Sequence, residues 1–546
     1  MLENFIFLCF KFFIFYIFFF LAGRSFFIIN NKFSSGKIID EDNILGLSIS
    51  IFYPIIGIFL IGNFLFLLNF IIPLDSFFTY LIILFLVPNL YKKINLKELK
   101  NTFFSSFLIS FVLLFSTYGV NFHYDAGSYH LLNQAWIRES NIILGFSNIF
   151  GAFGVSSIWE YVSSFLWIDG TYVLLHFLNL IFILFFYQFL VFSIFGQNDK
   201  LLKNSSLSLI IFSILDNFGF GGGRNGFLFV QGLGKQDMAI AILYLITSLL
   251  ILISLIKDKY ELKNFIVIST FTLFLYQLKI SSFPIVILFS YYIFKYVKKN
   301  NLSFRDLTKI QLPYLILFLF WMVKSILQTG CLIFPATVTC FQNLSWVDIE
   351  YTRDLEEITV GISNSYYFTE PFSAWLREYL ISDLNRNTLY NFFISLGIVA
   401  LFLFKNRNSH SREFNFVILF FILVNILFFL RYGPDPRYLI GLQMLSVAIV
   451  GLYIKSFKFI NKFILISIFL VSLLLLPRLQ YYQSFNFFVL PSFKTPNVEL
   501  VIVDGVSYPK NGDQCWNDIE CFPNYRPLRF EKKYNFFQVV YVDSKQ

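Results

Sequence analysis

Charge is scarce in this chain: only 14% of its 546 residues are Asp, Glu, Lys or Arg, whereas 57% are hydrophobic. Soluble domains hold about 45–50% apolar residues, so this balance excludes a soluble globular enzyme and a disordered tail. Cysteine is sparse too, five residues in all, and a secreted disulfide miniprotein is excluded with them. No C-x2-C pair or accompanying histidine near the cysteines offers zinc a site. Internal repeats and low-complexity linkers are absent. So is the strict alternation of a transmembrane β-barrel.

What is abundant is phenylalanine, 77 residues, gathered with Ile and Leu in long apolar runs. The runs are 5–29, 45–70, 73–90, 103–118, 172–195, 205–218, 238–256, 265–278, 282–294, 312–327, 390–404, 415–430, 438–454 and 463–476. Backbone polar groups in hydrocarbon must be satisfied internally, so such runs imply helices. The expected fold is an all-α polytopic membrane protein with about 14 (12–14) transmembrane helices. The 265–278 and 282–294 runs, divided by Lys279 and Pro284, could instead form one broken helix. Glu3 before the first run, Lys11 within it and the missing small-x-small site argue for a first span rather than a signal peptide.

Lys and Arg recur in every second connection, which places those connections in the cytoplasm. The others are then extracytoplasmic, including the loops 119–171 and 328–389 and the tail from about 477. The net charge of +9 is thereby explained by topology and gives no reason to expect nucleic acid. The expected division is a transmembrane domain, 1–476, and a small extracytoplasmic module, 477–546, with strand-like stretches at 498–503 and 536–542. Cys331 with Cys340, and Cys515 with Cys521, form two close pairs on the oxidising side. They suggest two disulfides, free thiols being the alternative.

An enzyme working outside the cytoplasm needs a donor delivered on a lipid, which directs attention to the outside loops. The first packs His123, Asp125 and His130 within eight residues. A carboxylate at the bilayer lip is poorly solvated, which raises its pKa and suits a general base. The alternative is a helix cap, with Asp125 or Ser128 preceding the amphipathic stretch of Tyr129, Leu132 and Trp136. The rest of the loop is rich in Gly and aromatics and suits helices lying flat in the membrane interface.

Here the sequence resembles a known superfamily. An outside loop after an early span, carrying an Asp followed by Tyr-His-Leu, is similar to the first extracytoplasmic loop of the GT-C membrane glycosyltransferases, which use polyprenyl-phosphate sugars. More closely, Tyr124-Asp-Ala-Gly-Ser-Tyr-His130, the stretch 145–159, Leu278-Lys-Ile-Ser281, Asp435-Pro-Arg-Tyr438 and Gly512-Asp-Gln-Cys-Trp516 resemble a bacterial family of polytopic membrane proteins associated with surface-polysaccharide genes. The resemblance implies that Asp125 deprotonates an acceptor hydroxyl, which attacks the anomeric carbon as polyprenyl phosphate leaves. It also implies substrate contacts from His123, Tyr129 and His130, and cations for the phosphate among Arg224, Lys235, Lys279, Arg431 and Arg437. Arg437 stands out, because two prolines fix the turn before it.

Gly221-Gly-Gly-Arg-Asn-Gly226 matches G-x-G-x-x-G but joins two spans, so dinucleotide binding is rejected. Lys279 and Lys324 are ionisable groups near membrane depth, functional by default unless they snorkel. The acidic run Glu350, Asp354, Glu356 and Glu357 reads as a solvated face, with a divalent metal as the alternative. No protein metal site and no certain cofactor are expected.

The expectation is a multi-pass glycosyltransferase of the bacterial inner membrane, moving a sugar from a polyprenyl-phosphate carrier to a glycan, lipid or protein acceptor outside the cytoplasm. Two alternatives remain open: an O-antigen polymerase built on outside arginines, and a non-enzymatic flippase of lipid-linked oligosaccharides.

Overall fold

The computed structural model describes residues 3–33, 43–91, 96–155, 157–168, 170–196, 199–217, 228–361, 372–405, 411–432, 435–455, 457, 461–503, 506–524, 526, 528–533 and 537–542. It is mostly helical. Each of the fourteen apolar runs has its centre on a helix. Among the described residues, seven helices are long and apolar enough to cross a membrane: Asn4–Asn30, Ile49–Leu68, Val173–Phe195, Asp237–Lys257, Phe304–Thr329, Arg412–Leu430 and Pro436–Tyr453. Four shorter apolar helices accompany them, at Phe77–Leu90, Thr102–Tyr118, Leu262–Leu278 and Lys462–Leu475.

Burial separates the centre of the bundle from its rim. In Val173–Phe195, 89% of the apolar window is buried inside the protein, against 11% in Phe304–Thr329. The rim helices leave apolar side chains such as Leu315, Leu319, Phe416, Leu423 and Leu470 uncovered. Contiguous exposed apolar faces of this extent suit a lipid surround.

Without a hydrophobic drive between helices in lipid, close packing and interhelical hydrogen bonds hold them together. Gly23 and Gly57 mark the crossing of the helices Glu3–Phe33 and Tyr53–Leu68. A Cβ added at Gly57 would lie 2.0 Å from the Phe19 carbonyl oxygen, and one at Gly23 only 1.8 Å from that of Tyr53. Deeper in, the buried amides of Asn63 and Gln277 exchange two hydrogen bonds, at 3.1 and 2.7 Å.

The 265–294 region is a helical hairpin and not one broken helix. Pro284 opens the helix Pro284–Asn300, which folds back on Leu262–Leu278. Phe265, near the start of the first, stacks on Tyr296, near the end of the second, with ring centroids 4.0 Å apart.

Among the described residues, strands are confined to three two-stranded antiparallel hairpins. Leu500–Val503 pairs with Val506–Pro509, and Leu528–Lys533 with Phe537–Val542. The two strand-like stretches of the tail therefore form, but each with its own neighbour.

The tail shares its core with the first long loop. Leu132, Trp136, Phe146 and Phe153 from the loop pack with Cys515, Cys521 and Val540 from the tail in one apolar cluster. Leu144 and Val540 exchange backbone groups, the Val540 amide donating to the Leu144 carbonyl at 2.9 Å. The segment after Phe304–Thr329 joins the same layer, since Arg526 pairs with Asp348 at 2.5 Å and lies over the Tyr351 ring. The loop helices Leu131–Glu139 and Ile158–Phe165 are thus covered by protein on nearly every face, because tail and bundle together take up their apolar surface.

Candidate functional site

The site is built where the first loop meets the strand-like segment before the helix Asp237–Lys257. The His123 amide donates to the Leu233 carbonyl at 3.0 Å, and the Leu233 amide to that of Asn121 at 3.1 Å. This parallel pairing needs glycine on both sides of Leu233. A Cβ on Gly232 would sit 2.8 Å from the Asn121 oxygen, and Gly234 has φ +93°. The result sets Lys235 beside Asp125.

The Lys235 ammonium pairs with the Asp125 carboxylate, and both side chains are largely buried. Tyr129 donates its hydroxyl to the same carboxylate oxygen at 3.1 Å. His123 Nδ1 accepts the Asp125 amide at 3.1 Å and lies 3.5 Å from the other carboxylate oxygen. Burial alone would raise the Asp125 pKa, but the Lys235 ammonium hydrogen-bonded to it holds the carboxyl below its usual range. Burial, with Lys235 close by, lowers His123, which leaves the imidazole neutral at pH 7. Tyr129 is pushed well up by burial and by the Asp125 charge, so it remains a hydrogen-bond donor.

A second line of charge continues from the first. Arg437 Nη1 lies 3.9 Å from the Asp125 carboxylate, and its Nε is 2.8 Å from Asp435. Asp435 also caps the turn that carries Arg437, accepting its amide at 3.0 Å, with Pro436 setting the first turn position. Lys279 pairs with Asp237 at 3.2 Å, and its ammonium sits 4.4 Å from the centre of the Tyr438 ring. Asp125, Asp237 and Asp435 therefore alternate with Lys235, Lys279 and Arg437. Acid and base balance, so an entering anion must take cations from carboxylates already holding them.

Chambers open on this cluster. One, a narrow polar pocket of about 30 Å³, is lined by Asp237, Ser281, Ser282, Asn425, Arg437 and Tyr438 among others. A larger cleft of about 350 Å³ shares Ser281 and Tyr438 with it and is walled mainly by apolar groups, including Ile280, Phe283, Phe334, Pro335 and Phe428. Lys279 stands in its wall and also in that of a third pocket of about 50 Å³, which holds Lys324. The charged cluster thus borders an apolar cleft large enough for part of a hydrocarbon chain, with a small polar pocket beside it.

Residues 1–444 match a family described as a domain of unknown function, DUF8201. The chain belongs to that family. No curated protein and no solved structure matches it.

All six charged residues of the cluster lie within the DUF8201 match. Of the residues singled out in the sequence, Asp125, His123, Tyr129, Lys235, Lys279 and Arg437 come together. His130 lies next to them, its ring centroid 4.2 Å from that of Tyr129. Its Nδ1, however, lies 2.5 Å from the buried Glu160 carboxylate rather than on Asp125. Gln134 donates to the other Glu160 oxygen at 2.7 Å. Arg224 and the surrounding glycine-rich stretch lie outside the described residues, as does the side chain of Arg431.

Capping does not explain Asp125, whose carboxylate bonds no helix amide. Snorkelling does not explain Lys324, which is 2% exposed with its ammonium 4.1 Å from the Trp321 ring centre. Both expected disulfides are formed, Cys331 with Cys340 and Cys515 with Cys521. Among the described residues no three His, Cys, Asp or Glu side chains converge to hold a metal ion. The acidic partners Asp237, Asp435 and Glu160 were not singled out as site residues, because nothing local in the sequence reveals which cation a carboxylate will meet.

Proposed function

We propose that this DUF8201 protein is a GT-C-like glycosyltransferase of the bacterial inner membrane, spanning it about fourteen times. It would transfer a sugar from a polyprenyl-phosphate carrier to a glycan, lipid or protein acceptor on the extracytoplasmic side. The single observation that carries the reading is the meeting of Asp125, Lys235 and Arg437 beside a small polar pocket that adjoins a mainly apolar cleft.

In this reading the cleft takes the first isoprene units, and the carrier phosphate enters between Lys235, Arg437 and Lys279. The resting Asp125 is a weak base, since its charge is tied to Lys235. A phosphate that draws Lys235 and Arg437 away loosens that tie and raises the carboxylate's basicity. Asp125 then accepts the proton of the acceptor hydroxyl, and that oxygen bonds to the anomeric carbon. The bond from that carbon to the phosphate oxygen breaks, and its electron pair leaves with the polyprenyl phosphate, whose charge the released cations stabilise.

The test is release of free polyprenyl phosphate by the purified protein in liposomes, with a panel of polyprenyl-phosphate hexoses and mixed glycan acceptors. Asp125→Asn is expected to lower release by about 10²–10⁴, the usual worth of a general base. Undiminished release by Asp125→Asn, together with loss in Arg437→Ala, would favour the arginine-based polymerase instead.

A further inference from the structure

The turn that carries Asp125 is not held by the bundle alone. A short loop of the C-terminal tail, closed by the Cys515–Cys521 disulfide, reaches back and touches the chain on both sides of Asp125. The Asp513 carboxylate accepts the Tyr124 hydroxyl, and the Gln514 side-chain amide donates to the Tyr124 carbonyl at 3.0 Å. The Trp516 amide donates to the Gly127 carbonyl at 2.9 Å. Its indole also meets Phe122 edge to face, with centroids 5.2 Å apart. The partners are residues 122, 124 and 127, which bracket Asp125.

Three features mark this contact as specific. Gly127 admits no side chain, since a Cβ there would lie 2.8 Å from the Trp516 ring and 3.0 Å from Gln514. Trp516 has φ +55°, a left-handed conformation that bulky residues avoid unless their surroundings impose it. What imposes it is on either side. Cys515 and Cys521 are fully buried, and the Phe522 amide bonds the Ser507 carbonyl at 2.9 Å, tying the loop to the hairpin behind it. The turn itself, Ala126–His130, has π-helical bonding, a rare wide-turn geometry found frequently at functional sites. Such a turn needs an outside support to keep one carboxylate aimed at one lysine.

We propose that Asp513, Gln514 and Trp516 are positioning residues, a clamp supplied from beyond the family-matched region that fixes the Asp125 carboxylate against Lys235. Its importance for transfer rests on the reading of Asp125 as the base, but the clamp itself can be tested without a substrate. The experiment is carbodiimide-driven amine labelling of Asp125 across a pH series, in the full-length protein in nanodiscs, read by mass spectrometry. Carbodiimide reacts with the protonated acid, so a carboxylate held against a lysine labels slowly.

Asp513→Ala and Trp516→Ala should each raise Asp125 labelling several-fold at mildly acidic pH and move its midpoint upward. Asp513→Asn keeps an acceptor for Tyr124 and should restore the wild-type rate, as should Trp516→Phe in part. Asp258, at the opposite end of the Asp237–Lys257 helix, serves as the internal reference and should not change. If Trp516→Ala alters Asp258 as well, that variant has lost its fold, and Asp513→Ala, which removes one side-chain bond, decides. Wild-type labelling of Asp125 in Asp513→Ala overturns the clamp. Where polyprenyl-phosphate release is measurable, the clamp variants should lose kcat with the donor KM unchanged. Normal labelling shifts without any polyprenyl-phosphate release would leave the clamp standing and count against the transferase reading alone.

Discussion

Lys235→Met removes one charge from the site while keeping most of the side-chain volume. In the wild-type protein the Asp125 carboxylate has this ammonium as its direct ionic partner, with Arg437 next at 3.9 Å and already shared with Asp435. Two unit charges at hydrogen-bond distance attract by about 5 kcal/mol at an effective dielectric of about 20, before desolvation is counted. Breaking a buried pair from one side costs about 3–5 kcal/mol. Asp125 keeps the Tyr129 bond and 19% of its surface in contact with solvent, so the loss should fall at about 2–3 kcal/mol. In the transferase reading the same lysine stabilises the departing phosphate, and losing it should slow release roughly 30- to 150-fold.

Thermal unfolding in detergent checks the energetic part directly. The folded-state pKa of Asp125 is depressed below its reference of 3.8. The stability from the pair is therefore fully present above that reference and is lost as pH falls through the folded value. Wild type and Lys235→Met should differ at neutral pH and converge in strong acid. Equal unfolding midpoints at pH 7, or a gap that persists unchanged below the folded pKa, would refute an ion pair as the source of the difference.

Two further outcomes test the scaffold. Gly57→Ala puts a methyl group 2.0 Å from the Phe19 carbonyl oxygen; the two helices must part, and thermal stability should drop by about 1–3 kcal/mol or more, so an unchanged midpoint would deny the crossing. Glu160→Gln leaves His130 or Gln134 without its acceptor in a buried site, which should lower stability by about 1–3 kcal/mol yet leave Asp125 labelling as in the wild type; a change in that labelling would show that the two networks act as one.

Much of the architecture was legible because hydrophobic runs report local structure. A run of Phe, Ile and Leu has few ways to satisfy its backbone away from water, so every apolar run has its centre on a helix. How many of those helices cross the membrane is less legible, since several are short and the neighbouring protein covers them. The cysteine pairs were readable for a similar reason, each being close in sequence. Asp125 and Arg437 announced themselves through their surroundings, a polar block at a span end and a proline-framed turn. His130 packs its ring on Tyr129 yet pairs with Glu160, because proximity in sequence to Asp125 does not determine which carboxylate an imidazole meets.

The sequence by itself determined that this is a helical membrane protein with a polar block of His123, Asp125 and His130 in its first long loop. Only the tertiary structure decided which charges meet. Lys235 reaches Asp125 across 110 residues through a three-residue backbone pairing, Lys279 faces Asp237, and Trp516 returns from the tail to close on Gly127. Burial of apolar runs follows from composition, whereas an ion pair depends on the approach of distant segments whose paths are set by packing.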